Sequence, residues 1–343
     1  MSMKKVLLLV AVLLAAAFVL TACAGPAGPA GPAGPAGPAG AKGETGPIPS
    51  AADLTCTACH NDTNLLTGKE AAWGESLHGT GVVFLEDGGN KSCAGCHSGS
   101  GFSAMIAAGL TPVTVEAGDP NPTRQDCRAC HQIHTTYTVD DFALETTAPV
   151  ALFTSGQTFD GGKGNLCANC HQARKAMTAV VDGKVDVTAR FGPHHGPQSD
   201  MLLGVGGAGT VVGTPSMHAT TVENTCVTCH MGDSAKHTFA PDVATCTACH
   251  ADATTFDING VRTKVTDKLA TLAAALKTAG MLTEGKNEAG ETTYAPVAGK
   301  FDEAKANALW NFIYINNEDK SLGVHNSTYT IALLDASLAT FGK

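Results

Sequence analysis

The sequence predicts a mainly irregular and α-helical fold with little β-sheet, whose interior is not filled by large side chains. Aromatic residues make up only 5% of the 343 residues, whereas apolar residues as a whole reach 43%. That apolar content excludes a disordered chain, yet the rings that usually fill a core are scarce. Glycine is abundant, with 39 residues, and clear helical periodicity is confined to the segment after residue 260. We therefore expect loops wrapped around a non-protein core, followed by a C-terminal helical segment.

The charge balance argues against a nucleic-acid partner. The chain has 22 Lys and Arg against 31 Asp and Glu, for a formal net charge of −9, and it has no run of basic residues. Because binding to a phosphate backbone depends on clustered positive charge, we expect no nucleic-acid partner.

Residues 1–22 are predicted to form a lipoprotein signal peptide. Lys4 and Lys5 precede an apolar run at 6–20, which is shorter than a typical membrane-spanning helix. The segment 20–23, Leu-Thr-Ala-Cys, resembles the lipobox of bacterial lipoproteins, in which Cys23 would carry lipid. The alternative is a plain secretory signal with an incidental cysteine. We favour the lipobox, because Cys23 is the only cysteine outside the motifs described below, and a lipid anchors a protein without spanning the membrane.

Residues 23–49 are predicted to form the lipid anchor and a collagen-like stalk. Eight Gly-X-Y triplets fill 25–48. Only glycine fits at the axis of a triple helix, so the period resembles collagen-like bacterial stalks. A single polyproline-II spacer is an equal alternative. In either case the segment is stiff and would hold the rest of the chain away from a membrane.

The other twelve cysteines fall into six C-x-x-C-H motifs within residues 50–260. A c-type haem attachment site requires this arrangement. The two thiols reach the two vinyl groups of one haem, and the histidine becomes the proximal iron ligand. Zinc clips, a disulfide framework or a thioredoxin-type dithiol would not require a histidine after every pair. The motif residues are Cys56, Cys59 and His60; Cys93, Cys96 and His97; Cys127, Cys130 and His131; Cys167, Cys170 and His171; Cys226, Cys229 and His230; and Cys246, Cys249 and His250.

Six covalently bound haem c groups would complete the predicted fold. Residues 50–343 are too few to wrap each of six macrocycles separately. We therefore expect a haem-cored multihaem cytochrome c, in which loops wrap around six stacked haems.

Histidines outside the motifs are candidates for the distal iron ligands. Six irons need six distal ligands, and seven histidines remain, so one histidine is in excess. We expect the extra histidine to be one of the adjacent pair at 194–195. The candidates are His78, His134, His194, His195, His218, His237 and His325.

The position of some candidates suggests particular neighbours. If the turn after His131 is helical, His134 projects from an adjoining position and binds the iron of a second haem. His237 lies between the last two motifs, which begin only 20 residues apart, so those two haems are expected to be neighbours. His218 likewise lies shortly before a motif, eight residues before Cys226.

Three stretches resemble a known lineage of multihaem cytochromes: 73–78, 226–239 and 323–326. The lineage includes pentahaem nitrite reductases, octahaem hydroxylamine oxidoreductases and tetrahaem carriers. The resemblance implies that His78, His237 and His325 are distal ligands. The turn at 192–197 is similar to that of multihaem surface cytochromes. The chain departs from the nitrite reductases because it has no C-x-x-C-Lys site, which those enzymes use to keep a catalytic iron open.

Residues 261–343 are predicted to form a helical cap that supplies His325. One helix presents Val265, Leu269, Leu272 and Leu276 on one face and ends near Gly280. A second is expected to be capped by Asp302, and a third begins at Asn326 or Ser327. We expect a polar loop at 283–300 and irregular backbone at 204–213.

These features predict an electron carrier rather than an enzyme. Iron with two imidazole ligands has no open position for a substrate. Electrons would pass to redox partner proteins or to extracellular or periplasmic acceptors, from a protein anchored by lipid at the outer membrane or cell surface. The resemblance to surface cytochromes of metal-respiring bacteria, some of which polymerise, implies a possible homo-oligomer or filament. The alternatives are a multihaem oxidoreductase with one five-coordinate haem, acting on a small nitrogen or sulfur compound, and a structural surface protein.

Overall fold

The computed structural model describes residues 66–112, 114–115, 117–137, 139–194, 196–232 and 235–343. They belong to one compact unit, Gly46–Lys343. The predicted signal peptide, lipid anchor and stalk lie outside the described residues. Most of the described chain consists of short helices joined by irregular segments, as the sequence predicts.

Thirteen α-helices are formed by the described residues. They are α1 (Thr67–Gly74), α2 (Leu77–Thr80), α3 (Val83–Asp87), α4 (Ala94–His97), α5 (Gly99–Ala107), α6 (Cys127–Cys130), α7 (Asn165–Ala168), α8 (Gln198–Leu203), α9 (Met217–Thr221), α10 (Cys226–His230), α11 (Val261–Thr278), α12 (Glu303–Phe312) and α13 (Ser327–Ala339). A π-helix, Ile313–Asp319, continues α12, and 3₁₀ turns occur at Val139–Phe142, Gly162–Gly164, Val243–Ala248 and Ile258–Gly260.

The strands are few and short. They are β1 (Val150–Ala151), β2 (Thr158–Phe159), β3 (Val180–Val181), β4 (Lys184–Val187), β5 (Leu282–Lys286), β6 (Thr292–Pro296) and β7 (Gly299–Asp302). All their pairings are antiparallel, in the orders β1-β2, β3-β4-β7 and β5-β6. The β4–β7 pairing joins the region of the cysteine motifs to the C-terminal segment.

The C-terminal segment forms most of an apolar core, to which Val185, Phe191 and Met201 also contribute. Helices α11, α12 and α13 pack together, and Leu272, Leu309 and Leu334 are fully buried among them. Trp310, which is 2% exposed, packs edge-on against Phe191. Side chains from the protein therefore fill this part of the interior, and two smaller apolar clusters, around Phe159 and Phe102, lie in the chain before it.

The segment before α11 has the opposite character. In the described residues of 209–264, no apolar side chain is buried by other protein groups, although several are partly covered. The only buried residue there is Thr225. This segment contains the last two C-x-x-C-H motifs and folds without an apolar protein core.

The irregular loop at 204–213 is confirmed, and polar side chains of the C-terminal helices hold it. Trp310 Nε1 donates to Gly206 O at 2.9 Å, and Tyr314 Oη donates to Val205 O at 2.7 Å. The N–H of Gly207 donates to Tyr329 Oη at 2.9 Å. A Cβ atom at Gly207 would lie 2.5 Å from the Leu333 side chain, so the close approach requires glycine there.

The three predicted C-terminal helices are present, with α13 capped by the Asn326 side chain, which accepts from Tyr329 N. The predicted loop at 283–300 is wrong. Strands β5 and β6 form a hairpin there, in register from Leu282 and Pro296 to Lys286 and Thr292. Asp302 stands at the predicted N-cap position of α12, but its side chain makes no cap hydrogen bond and instead accepts from Lys184 Nζ at 2.5 Å across the β4–β7 pair.

Shortening a fully buried side chain of α11 tests this packing. We expect Leu272→Ala to lower the free energy of unfolding by about 3 kcal/mol, because it removes buried apolar atoms and leaves a cavity. The matched control is Thr271→Ala on the exposed face, which loses only a hydroxyl that donates to Asp267 O, and we expect it to stay within about 0.5 kcal/mol. Denaturant unfolding followed by circular dichroism measures both, and equal losses would contradict the packing described.

Candidate metal centres

Each of the five described C-x-x-C-H motifs forms a single helical turn. In four of them the histidine N–H donates to the carbonyl of the first cysteine at 2.8–2.9 Å, in His97, His131, His171 and His250. In the fifth, α10 contains both residues. This bond places the imidazole one turn from the first cysteine, on the same face of the helix. The local geometry required for attachment to one planar group is thus present in the backbone.

Some predicted site residues lie outside the described residues. These are Cys23, Cys56, Cys59, His60 and His195. Their predicted roles stay predictions.

Five histidines of described motifs each face a histidine from outside the motifs. The ring centroids are 6.2 Å apart in the first three pairs below and 6.4 Å apart in the last two. The pairs are His97 with His194, His131 with His237, His171 with His78, His230 with His325, and His250 with His218.

The separation within the pairs is nearly constant although the ring orientations differ. The angles between ring planes run from 33° to 84°. Rings in direct contact change their centroid separation as they tilt, so contact alone does not explain the narrow range. A metal bound between two imidazoles would fix the distance between their centroids. A ring nitrogen lies about 1.1 Å from its centroid and a metal–nitrogen bond is about 2.0 Å, so the two rings together give about 6.2 Å.

Hydrogen bonds at Nδ1 orient six of these ten rings. Since each acceptor is an oxygen without a proton to give, Nδ1 is the protonated nitrogen and Nε2 keeps its lone pair for a metal. The Nδ1 acceptors are Phe142 O for His131 (2.7 Å), Gln198 Oε1 for His171 (3.0 Å), Val324 O for His218 (2.7 Å), Phe239 O for His230 (2.9 Å), Ala235 O for His237 (2.8 Å) and Asp319 Oδ1 for His325 (2.6 Å).

Most of the rings whose pKa is shifted are held neutral by burial. Burial lowers the pKa of His78 to about 4, with the charge of His171 as a second cause. Burial is also the main cause of the lowered pKa values of His171, His230 and His237. Because only a neutral imidazole binds a metal, these environments favour ligation near pH 7.

Each pair supplies two nitrogen donors and no more. Among the residues that the structure describes, no three His, Cys, Asp or Glu side chains gather at one point suited to a metal ion. A structural zinc site needs four protein ligands, whereas a porphyrin brings four nitrogens of its own. The ten described motif cysteines are all free thiols, as thioether attachment requires. The residues present therefore fit haem c.

Arg174 provides a further sign of this fit. Its Nε is buried and has no hydrogen-bond partner among the described residues. Its Nη1 donates to Ser92 O at 2.7 Å, and the guanidinium is one of the lesser causes of the lowered pKa of Cys96. A carboxylate is the natural partner of a buried guanidinium, and haem has two propionate carboxylates.

The thiols show which motifs are neighbours. The Cys96 thiol adjoins that of Cys170, and each shifts the pKa of the other. The Cys167 thiol adjoins that of Cys226 and is the main cause that lowers the pKa of Cys226 to about 6. The second and fifth motifs therefore each adjoin the fourth.

Charge interactions between cysteines show which motifs adjoin the third and the sixth. Cys130, whose pKa burial raises to about 12, interacts with both cysteines of the fourth motif. Cys229 interacts with Cys246, which brings the fifth and sixth motifs together, as the sequence predicts.

The condition on which the sequence analysis based the position of His134 is not met. The turn after His131 is not helical, because His131 is extended (φ −124°, ψ 150°) and His134 is left-handed (φ 66°). The His134 ring stacks on Tyr137 at 5.4 Å, and its role as a ligand stays a prediction. His237 lies beside the last two motifs in sequence but faces His131 of the third.

Comparisons with known proteins give few matches. No family model and no curated protein matches the chain. Among solved structures, the chain is similar to the outer cell wall cytochrome OcwA, with a TM-score of 0.48 and 22% identity over 79% of this chain and 49% of that one. The chain thus spans about half the length of that protein. In the part of the chain that is described, no helix has the length and apolar character needed to cross a bilayer.

Asp200 is a buried carboxylate that the sequence analysis missed. It lies in α8 and is fully buried. Its Oδ2 accepts from Ala173 N at 2.7 Å, and its Oδ1 accepts from Thr154 Oγ1 at 3.3 Å. Burial raises its pKa from 3.8 to about 6. An isolated aspartate after Gln-Ser gives no periodic signal by which sequence reasoning could find it.

This pKa predicts how stability depends on pH. Because the folded-state pKa is above the unfolded value, the stabilisation from protonated Asp200 is present below about pH 4 and is lost as pH rises through 6. The difference of about two units corresponds to about 3 kcal/mol.

Asp200→Asn should therefore stabilise the protein at pH 7 to 8 relative to wild type, and should flatten the stability profile between pH 4 and 7. The amide can still accept from Ala173 N and donate to Thr154 Oγ1. Unfolding midpoints measured across this pH range test the expectation, and Thr154→Val is the control, since it keeps the carboxylate. Parallel profiles for wild type and Asp200→Asn would contradict it.

Proposed function

We propose that this chain is a hexahaem c-type cytochrome that carries electrons and does not act on a substrate. One observation carries the proposal: five C-x-x-C-H histidines each face a histidine from elsewhere in the chain at 6.2–6.4 Å between ring centroids. The motif identifies where haem would be attached, and the facing ring identifies the second axial ligand. The assigned distal ligands are His78, His194, His218, His237 and His325.

Bound haem would supply an iron that gains and loses one electron. The chain's own residues would do the rest. The motif thiols would attach the ring covalently, the two facing imidazoles would bind its iron, and the oxygens at Nδ1 would hold the imidazoles in orientation. With both positions filled, little room is left for a substrate to reach iron, which supports electron transfer over catalysis.

The contacts between motifs supply a route for electrons. The fourth motif adjoins the second, third and fifth, and the fifth adjoins the sixth. Haems held by these motifs would form a connected, branched set with the fourth at the branch. Neighbouring attachment sites would bring the edges of successive haems close, as rapid electron transfer requires.

The proposed location is the cell surface. It rests on the lipobox-like segment ending at Cys23 and on the stiff Gly-X-Y segment that follows. The partners would be a membrane-side electron donor and an extracellular or periplasmic acceptor. Five axial pairs would be completed within one chain, and His134 and His195 remain as candidates for the iron bound by His60.

Removing one distal histidine tests the ligand assignment. We expect His218→Ala to convert one of the six haems from six-coordinate low-spin to five-coordinate high-spin, since the iron bound by His250 would lose its second imidazole. That one haem should then bind cyanide, and added imidazole should restore the low-spin spectrum. Absorption and electron paramagnetic resonance spectra of the purified exported protein measure both effects.

The matched control is Thr220→Ala on the same helix, which removes only a hydroxyl that donates to Ser216 O and should leave all six haems low-spin. A colourless wild-type protein, or one without the added mass of six haems, would overturn the cytochrome assignment. A wild-type protein with one cyanide-binding, high-spin haem would instead favour the multihaem oxidoreductase.

A further inference from the structure

Asp319 places a buried negative charge directly behind one of the facing histidines. It is the last residue of the π-helix Ile313–Asp319, and its side chain has no exposed surface. Its Oδ1 accepts the Nδ1 proton of His325 at 2.6 Å. Its Oδ2 accepts from Ser321 Oγ at 2.5 Å and from Ser321 N at 3.2 Å. Both carboxylate oxygens are therefore held in place and shielded from water.

The Nδ1 acceptors of His131, His171, His218, His230 and His237 are neutral. Four are backbone carbonyls, and the fifth is the Gln198 side-chain amide behind His171. The adjoining fourth and fifth motifs thus differ in the charge of one hydrogen-bond acceptor. The Nδ1 of His171 donates to a neutral amide, whereas the Nδ1 of His325, the ring that faces His230, donates to a carboxylate.

A carboxylate at Nδ1 changes what the imidazole offers to a metal. It draws the Nδ1 proton toward itself, so that Nε2 becomes a stronger electron donor. It also places a full negative charge in a low-dielectric interior, where it offsets the added positive charge of an oxidised iron. Both effects stabilise the oxidised state relative to the reduced state, which lowers the reduction potential.

We propose that Asp319 is a positioning residue that lowers the reduction potential of the haem held by His230 and His325. The inference rests on the proposed function, because it requires haem at that pair. This haem lies between those of the fourth and sixth motifs. Its lowered potential creates an energy step in the interior of the electron route, between the haems of the fourth and sixth motifs.

The test compares the reduction potentials of haem-loaded, exported variants. Asp319→Asn keeps the size of the side chain and an oxygen acceptor for Nδ1 but removes the charge, and the Ser321 hydroxyl can accept from the new amide. We expect one of the six potentials to shift in the positive direction while the other five stay in place. The electron paramagnetic resonance signal of the same haem should change, because its imidazole donates less strongly.

Two further variants separate charge from structure. Ser321→Ala removes a hydrogen bond to Asp319 but leaves the carboxylate, so we expect a smaller shift than for Asp319→Asn. Gln198→Glu introduces a carboxylate behind His171, and we expect the potential of a different haem to shift in the negative direction. A purely structural role for these side chains would not give opposite shifts at two haems.

The outcomes distinguish this inference from the proposed function. If wild type holds six low-spin haems but Asp319→Asn moves no potential, or moves one in the negative direction, the inference is wrong and the cytochrome assignment stands. If wild type itself binds no haem, the proposed function fails. If Asp319→Asn does not fold, the Gln198→Glu shift decides: a negative shift supports control by a carboxylate at Nδ1, and its absence contradicts it.

Discussion

The pairing of imidazoles across a fixed gap is the constraint on which the described structure depends. Each pair joins a short helical turn to a histidine elsewhere in the chain, and several of the partners are far apart in sequence. A metal between them would act as a cross-link and would restrict the unfolded chain as other loop-closing links do. Such links would explain how long segments without regular structure, such as the described part of 209–264, can be held without an apolar core. The C-terminal helices bury Trp310 and Leu272 in an apolar core that includes Phe191.

The motifs could be predicted from sequence because their chemistry is local. Two thiols and an imidazole must lie on one turn, and a turn is short enough to be read as a pattern. The same holds for α11, whose Val265, Leu269, Leu272 and Leu276 repeat with the period of a helix and are all buried. The hairpin at 282–296 was missed because its strands are mostly exposed and polar, so they lack the apolar alternation that identifies a strand.

The pairings could not be predicted, because proximity in sequence does not determine which distant segment returns to a given site. His237 lies near the last motif in the sequence and faces His131 instead. His134 was expected to follow a helical turn, but its left-handed backbone turns the chain away from one. The groups behind the rings were missed for a similar reason. Gln198 and Asp319 belong to no motif, and only the folded chain brings them to Nδ1.

Gln198 also links two neighbouring sites. Its Oε1 accepts from His171 Nδ1, while its Nε2 donates to Glu318 O at 3.1 Å and Asp319 O at 3.4 Å. One side chain therefore orients a ligand of the fourth motif and fixes the backbone that carries the carboxylate behind His325. If electrons pass between these two haems, the protein groups that set their potentials belong to one hydrogen-bonded unit. A displacement of the π-helix would then alter both sites together, which ties the energetics of the route to the packing of the C-terminal helices.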